Sequence, residues 1–147
     1  MIRAVIDANQ FVSALLKPES NPADVLQLAR EGKIQLVISP DIVDEIRSVL
    51  LYPKIMKRHR RTPEQIKLFL KKLLKTAVVT HRGASLDVIK DDPSDNKYLE
   101  CAVEGRADYI ISGDGHLTDL RSFHGIKIVT PAQFLKTLKE GGLKEKS

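Results

Sequence analysis

Short apolar segments alternate with helix signals along the whole 147-residue chain, and this alternation limits the fold more than any other feature. The apolar segments run from Ile2 to Ile6, Leu36 to Ile38, Ala77 to Val79, Tyr109 to Ser112 and Ile126 to Val129. Segments of this length and composition are typical of buried strands. Strands that alternate with helices form a parallel sheet covered on both faces. We therefore predict an α/β fold, with three α/β/α layers around a central parallel sheet of five strands.

Prolines mark the expected helix starts. Five of the seven prolines directly follow Asn, Ser, Thr or Asp, which are the residues that favour a helix entrance. These five are Pro22, Pro40, Pro63, Pro93 and Pro131. Thr62 and Gln65 also have the spacing of a capping box. Helices are therefore predicted to begin near each of these prolines.

The length and composition predict one intracellular domain. A chain of 147 residues with 42% hydrophobic content can bury one core, which we assign to residues 1–140, with residues 141–147 as a flexible tail. A single cysteine excludes an internal disulfide framework. No apolar run approaches the roughly 20 residues that span a bilayer. We expect a cytoplasmic protein with no membrane partner.

The positive charge is concentrated in one segment. The chain has a net charge of +5, but residues 54–75 hold nine of the 24 basic residues and one acid, so this segment carries +8 and the remainder −3. Such a block favours a polyanion such as nucleic acid, although a solvated lysine-rich helix face explains it equally well. The candidate nucleic-acid contacts are Lys54, Lys57, Arg58, Arg60 and Arg61.

Four acids follow four successive predicted strands. They are Asp7, Glu45, Asp95 and Asp114. Asp7 ends the first strand, and Glu45 lies at the margin of the inward face of a helix predicted from Ser39 to Leu51. Because the carboxyl ends of parallel strands meet at one edge, where open α/β sheets bind ligands, we expect the four acids to converge there.

Asp95 and Asp114 carry most of this argument. In a helix from Ser94 to Glu104, Asp95 lies near the centre of an apolar stripe. The stripe contains Tyr98, Leu99, Ala102 and Val103. Asp114 follows a core strand and lies between two glycines that allow a tight turn. A charged group beside buried surface needs a partner.

Acids that converge at one edge repel one another, and a hard divalent cation such as Mg²⁺ or Mn²⁺ relieves this repulsion. Such an ion can activate water and neutralise charge on a phosphodiester, a substrate that also suits the basic segment. Each acid also has a structural interpretation, as a strand end, surface acid, helix cap or turn residue. Asn9 and Ser112 either orient ligands or serve the turn and strand end.

Four segments in this order resemble the PIN domain, and within it the prokaryotic toxins of toxin–antitoxin pairs. The segments are IRAVIDANQFVSALL, SPDIVDEIRSVL, DDPSDNKYLECAVEGRADYIISGDGHL and IVTPAQFL. The resemblance implies a Mg²⁺- or Mn²⁺-dependent ribonuclease acting on single-stranded RNA. It assigns the acidic positions to Asp7, Glu45, Asp95 and Asp114, and the accompanying polar positions to Asn9 and Ser112. It also implies an antitoxin partner and a homodimer.

Two other functions fit parts of the sequence. A phosphohydrolase resembling the haloacid dehalogenase family would use Asp7 as nucleophile and Ser39 as a phosphate contact. Its metal motif would be Gly113-Asp114 with Asp119. Such enzymes normally carry a second aspartate two residues after the nucleophile, where this chain has Asn9. The other alternative is a nucleic-acid-binding or partner-binding module without catalytic activity.

Overall fold

The computed structural model describes residues 1–81 and 95–141, and the described residues form an α/β fold of three layers. The strands are β1 (Arg3–Ile6), β2 (Gln35–Ile38), β3 (Val78–Val79), β4 (Tyr109–Ile111), β5 (Ser122–Phe123) and β6 (Ile126–Val129). They form one sheet in the order β3-β2-β1-β4-β6-β5. All neighbours are parallel except β5 and β6.

The register brings the ends of the central strands to the same level. Ala4 of β1 pairs with Leu36 of β2 and with Tyr109 of β4. Beyond the strands, the Asp7 amide donates to the Ile111 carbonyl at 3.0 Å, and the Ser112 amide donates to the Val129 carbonyl at 2.9 Å. The residues that follow β1 and β4 therefore lie side by side at the carboxyl edge of the sheet.

Eight helices lie within the described ranges. They are α1 (Ala8–Leu16), α2 (Asn21–Arg30), α3 (Pro40–Leu50), α4 (Pro53–His59), α5 (Pro63–Thr76), α6 (Asn96–Glu104), α7 (Gly115–Thr118) and α8 (Pro131–Lys139). Thr62 and Thr130 each complete a capping box with the glutamine three residues later. The prolines predicted to open α2, α3, α5 and α8 all lie in the first helical turn. None of these helices combines the length and hydropathy of a membrane span.

Helix α6 joins the core to the carboxyl edge. It packs on β1, β2 and β4, where Tyr98 and Leu99 are buried against the strands. Burial of such a side chain stabilises the fold by about 1.5–3 kcal/mol. The stripe predicted for α6 is wrong at one position, because Val103 is 41% exposed while Asn96 is buried. Asn96 begins the helix beside the sheet edge, whereas Val103 lies in the last turn, where less of the fold covers it.

Three elements differ from the sequence prediction. Helix α1 begins directly after Asp7, where no helix start was predicted, because the Asp7 side chain accepts a hydrogen bond from the Asn9 amide and caps the helix. Helix α4 begins at Pro53, which follows neither Ser, Thr, Asn nor Asp. The sheet has a sixth strand, β5, which pairs antiparallel with β6 at the edge.

Strand β5 was missed because it is two residues long and carries no apolar run. Residues Arg121 and His124 have positive φ angles of 61° and 53°, and Gly125 has one of 79°. These conformations turn the chain tightly enough for Phe123 to pair with Ile126. The helix start expected at Asp92-Pro93, the position of Ser94 and the tail from residue 142 lie outside the described residues.

Candidate active site

Asp7 is held at the end of β1 by two hydrogen bonds. Its Oδ1 accepts from the Asn9 amide at 3.0 Å, and its Oδ2 accepts from the Ser112 hydroxyl at 2.7 Å. The residue is 3% exposed. Burial raises the pKa of Asp7 above its ordinary value, the negative charge of Glu45 raises it further, and the hydrogen bonds offset part of the rise. Asp7 is therefore fixed in place and sensitive to nearby positive charge.

Ser112 connects Asp7 to Asp114. The serine follows β4 and is fully buried. Its Oγ donates to Asp7 and accepts from the Asp114 amide at 3.0 Å. One hydroxyl thus links the acids that follow two neighbouring strands, and Ser112 fixes their relative position.

Asp114 lies beside Asp95 and His116. Its Oδ1 accepts from the His116 amide at 2.8 Å, so that it caps the short helix α7, and lies 3.6 Å from His116 Nδ1. A hydrogen bond with Asp95 holds the pKa of Asp114 below its usual range, and the contacts with His116 act in the same direction. Asp114 therefore does cap a turn, which was its predicted structural role, but capping does not account for its contact with Asp95.

Asp95 lies at the start of α6, close to Asp114 and His116. It is buried, and it directly precedes the first residue of α6. Within the described ranges, its side chain makes no capping hydrogen bond to α6. Ligand atoms of Asp95, Asp114 and His116 all lie within 4.8 Å of one another. Helix capping therefore does not account for Asp95.

Glu45 lies on α3 and contacts Tyr98 of α6. The Tyr98 hydroxyl donates to Glu45 Oε1 and accepts from the Ala8 amide at 3.1 Å. Lys97 Nζ lies 3.0 Å from the same Glu45 oxygen. Hydrogen bonds therefore connect Glu45 through Tyr98 to the Ala8 amide, which directly follows Asp7, and connect Asp7 through Ser112 to Asp114.

The donor set fits a divalent cation. Carboxylate oxygens of Asp95 and Asp114 lie within 4.8 Å of each other, and two ionised carboxylates at this range repel. A cation bound between them relieves this repulsion, and carboxylate oxygens are the ligands that Mg²⁺ and Mn²⁺ prefer. The nearby imidazole of His116 suits Mn²⁺ better than Mg²⁺. The residues present can therefore hold such an ion.

Comparison with known families matches this chain to the family model described as "PIN domain", over residues 3–116. The chain belongs to the PIN domain family. The matched range begins at β1 and ends at His116, so it contains all four acids. The match confirms the resemblance to the PIN domain that the sequence showed. PIN domains are typically metal-dependent nucleases, which supports a hydrolase.

Two known proteins are similar to this PIN domain. The uncharacterized protein MJ1680 of Methanocaldococcus jannaschii is 32% identical over 148 residues, which cover 95% of this chain and 93% of that protein. The crystal structure of VapBC2 from Rickettsia felis, bound to a DNA fragment from their promoter, contains a chain with a TM-score of 0.56 and 13% identity. The match covers 86% of this chain and 97% of that one. At this identity the likeness concerns the fold.

The other candidate residues have fewer contacts with the four acids of the PIN domain. Asn9 contributes its backbone amide to Asp7, while the residue itself is exposed. The five basic candidates lie on α4 and in the following loop. Lys54, Lys57, Arg58 and Arg60 are exposed, whereas Arg61 is half-buried and lines a cavity of about 270 Å³ between α1 and α2.

Sequence reasoning missed three residues that contact the acids. Tyr98 was assigned to the apolar core, and nothing in the periodicity indicated that its hydroxyl contacts Glu45. Lys97 was not considered. His116 had a usable signal, since an aspartate that caps a short turn accepts from the amide two residues later and brings that side chain close.

Proposed function

We propose that this PIN domain is a Mg²⁺- or Mn²⁺-dependent endoribonuclease that hydrolyses phosphodiester bonds in single-stranded RNA. The observation that supports it best is the hydrogen bonding that holds the acids at the carboxyl edge. Ser112 links Asp7 to Asp114, Tyr98 links Glu45 to the residue after Asp7, and Asp95 lies beside Asp114. Such an arrangement concentrates negative charge where a phosphodiester must bind. It therefore calls for a cation during catalysis.

Asp7, Glu45, Asp95 and Asp114 would hold the metal, with His116 within reach of the last two. When bound, the ion supplies activation of a water molecule and neutralisation of phosphoryl charge. Ser112 keeps Asp7 and Asp114 at a fixed separation, and Asp7 stays shielded from bulk water. Asn9 contributes its amide to the orientation of Asp7.

The basic segment is proposed to bind the RNA backbone. Helix α4 is anchored by His59, whose Nε2 lies 2.9 Å from the Leu50 carbonyl and whose Nδ1 accepts from the Arg61 amide at 2.9 Å. The exposed cations around it are thus presented on a fixed helix, where phosphate contacts contribute most of the sequence-independent affinity.

We further propose that the protein is the toxin of a toxin–antitoxin pair and works in the cytoplasm. Support comes from the family and from the fold shared with VapBC2 of Rickettsia felis, a complex bound to a DNA fragment from their promoter. An antitoxin encoded beside this chain is the expected partner. Homodimer formation is a further expectation from the family resemblance.

Purified protein should be tested on an end-labelled single-stranded RNA and on a small phosphomonoester, each with Mn²⁺ and with EDTA. We expect internal cleavage of the RNA with Mn²⁺, no cleavage with EDTA and no turnover of the phosphomonoester. The Asp119→Asn variant is the matched control, because Asp119 is an exposed neighbour of the site that only the phosphohydrolase alternative requires. Phosphomonoester turnover that this variant loses would favour the phosphohydrolase.

A further inference from the structure

Glu45 receives two contacts on one of its two carboxylate oxygens. The Tyr98 hydroxyl donates to Oε1, and Lys97 Nζ lies 3.0 Å from the same atom. The ammonium group of Lys97 also lies 5.5 Å from the centre of the Tyr98 ring. Consecutive residues of α6 therefore restrain a single oxygen of α3, which leaves Oε2 as the oxygen for a cation or a water molecule.

We propose that Tyr98 is a positioning residue for metal binding, which acts by orienting the carboxylate of Glu45, with Lys97 in a supporting role. The proposal rests on the proposed function, since it assigns Glu45 to the metal. Tyr98 does not itself touch the metal or the RNA. Its hydroxyl fixes Glu45 relative to the end of β1, where Asp7 lies.

The surroundings of Tyr98 make it a rigid support. Its side chain is 1% exposed, and the Ala8 amide, next to Asp7, donates to its oxygen. Because that amide occupies the phenol oxygen as an acceptor, the phenol proton is directed to Glu45.

Lys97 contributes charge more than rigidity. Its side chain is 20% exposed, and that of Glu45 is 32% exposed, so water screens the ion pair in part. The positive charge of Lys97 nevertheless lies next to Glu45, whose negative charge acts on Asp7. Loss of Lys97 should therefore weaken the orientation of Glu45 less than loss of the Tyr98 hydroxyl.

A purely structural tyrosine would behave differently. Removing the hydroxyl leaves the buried Ala8 amide without its acceptor, which lowers stability whatever Glu45 does. Such an effect would be independent of the residue at position 45. If Tyr98 acts through Glu45, its effect on metal affinity must disappear once the Glu45 carboxylate is gone, since residues that share one interaction are not additive.

The test is a double-mutant cycle read out as Mn²⁺ dissociation constants by calorimetry on the full chain. We expect Tyr98→Phe and Glu45→Gln each to raise the dissociation constant about 10- to 100-fold, a range typical of residues that orient metal ligands. The double variant should bind no more weakly than Glu45→Gln alone. The matched control is Tyr109→Phe, a buried tyrosine of β4 whose ring contacts Phe134, which should leave the constant unchanged.

The proposal would be overturned if the increases in the dissociation constant multiply in the double variant. It would also be overturned if Tyr98→Phe or Glu45→Gln leaves the dissociation constant unchanged, or if the wild-type protein binds no Mn²⁺. If Tyr98→Phe fails to fold, Lys97→Met replaces it in the same cycle, with a smaller increase expected and the same loss of effect beside Glu45→Gln. RNA cleavage is measured separately. Coupled Mn²⁺ binding without cleavage would refute the proposed ribonuclease and leave the Tyr98–Glu45 relationship intact.

Discussion

The Ser112 hydroxyl donates a hydrogen bond of 2.7 Å to Asp7, a residue 105 positions earlier in the chain. The same oxygen accepts from the Asp114 amide at 3.0 Å. The serine is fully buried, its contact with Asp7 is shielded from water, and its contact with the Asp114 amide is partly shielded. The separation of two proposed metal ligands therefore depends on a residue that lies between them and holds no charge.

The Ser112→Ala variant should lose both contacts. We expect the free energy of unfolding to fall by about 1–3 kcal/mol, because the buried Asp7 carboxylate loses a donor and the half-buried Asp114 amide loses its acceptor. Mn²⁺ affinity should fall about 10-fold or more as the two acids lose their alignment. Urea unfolding and calorimetry measure the two effects, with the exposed Ser48→Ala as control. Equal stability and affinity in the two variants would show that Ser112 merely fills space.

Asp7 gives the apo protein a specific pH dependence. Its pKa is raised from 3.8, so the folded state favours the neutral acid. The stability from this preference is fully present below pH 3.8 and is lost as the pH rises through the higher folded-state pKa. At pH 7 in EDTA, Asp7→Asn should therefore be more stable than wild type.

This advantage of Asp7→Asn should shrink as the pH falls toward 4, because wild-type Asp7 then takes up a proton. Thermal melts of both proteins in EDTA from pH 4 to pH 8 measure the difference. A difference that is constant across this range would mean that burial of the Asp7 charge costs no stability.

Asp95 should show opposite effects with and without metal. Asp95→Asn removes one negative charge beside Asp114 while nearly keeping the side-chain shape, so in EDTA the variant should be at least as stable as wild type. Wild type should gain about 1.4 kcal/mol at an Mn²⁺ concentration ten times its dissociation constant, and the variant should gain less. Thermal melts across an Mn²⁺ titration measure both effects.

The control for Asp95 is Asp24→Asn, which removes an acid from the first turn of α2. An acid with only that role affects the helix dipole and leaves the response to Mn²⁺ unchanged. An Asp95→Asn variant that behaves like Asp24→Asn would remove Asp95 from the metal site.

Much of the fold follows directly from local sequence. The central strands β1, β2 and β4 are largely buried and read as mainly apolar runs, which located them. Strands β3 and β6 are partly exposed, and short, mainly apolar segments located them as well. Proline after a capping residue located the starts of α2, α3, α5 and α8. Strand β5 had neither signal, since its two residues pair only because the following turn brings them onto β6.

The acids could be predicted because their position after a strand determines the edge on which they lie. Their connections could not, because these depend on packing between distant elements. Tyr98 meets Glu45 only where α6 packs beside α3, and the two residues are 53 positions apart. Asp108 is also a buried acid, but it precedes β4 and therefore lies at the opposite edge of the sheet, where its side chain accepts from the Arg3 amide.

The basic segment should give RNA binding a steep salt dependence. Neutralising Arg58, Arg60 and Arg61 with glutamine should reduce the slope of log affinity against log salt by up to about 0.7 for each lost phosphate contact on a single strand. Fluorescence titrations of a labelled RNA in EDTA measure the slope. The control replaces three exposed lysines of β6 and α8, Lys127, Lys136 and Lys139. Equal slopes in the two triple variants would indicate that α4 faces solvent or another protein.

The most direct test of the proposed ribonuclease compares cleavage of a single-stranded RNA by wild type, Asp7→Asn and Asp114→Asn in the presence of Mn²⁺. Both substitutions remove a proposed ligand and nearly keep the side-chain shape, so the circular dichroism spectra should match wild type. The proposal predicts cleavage by wild type, abolished by EDTA, and none by either folded variant. Full activity in both variants would contradict it.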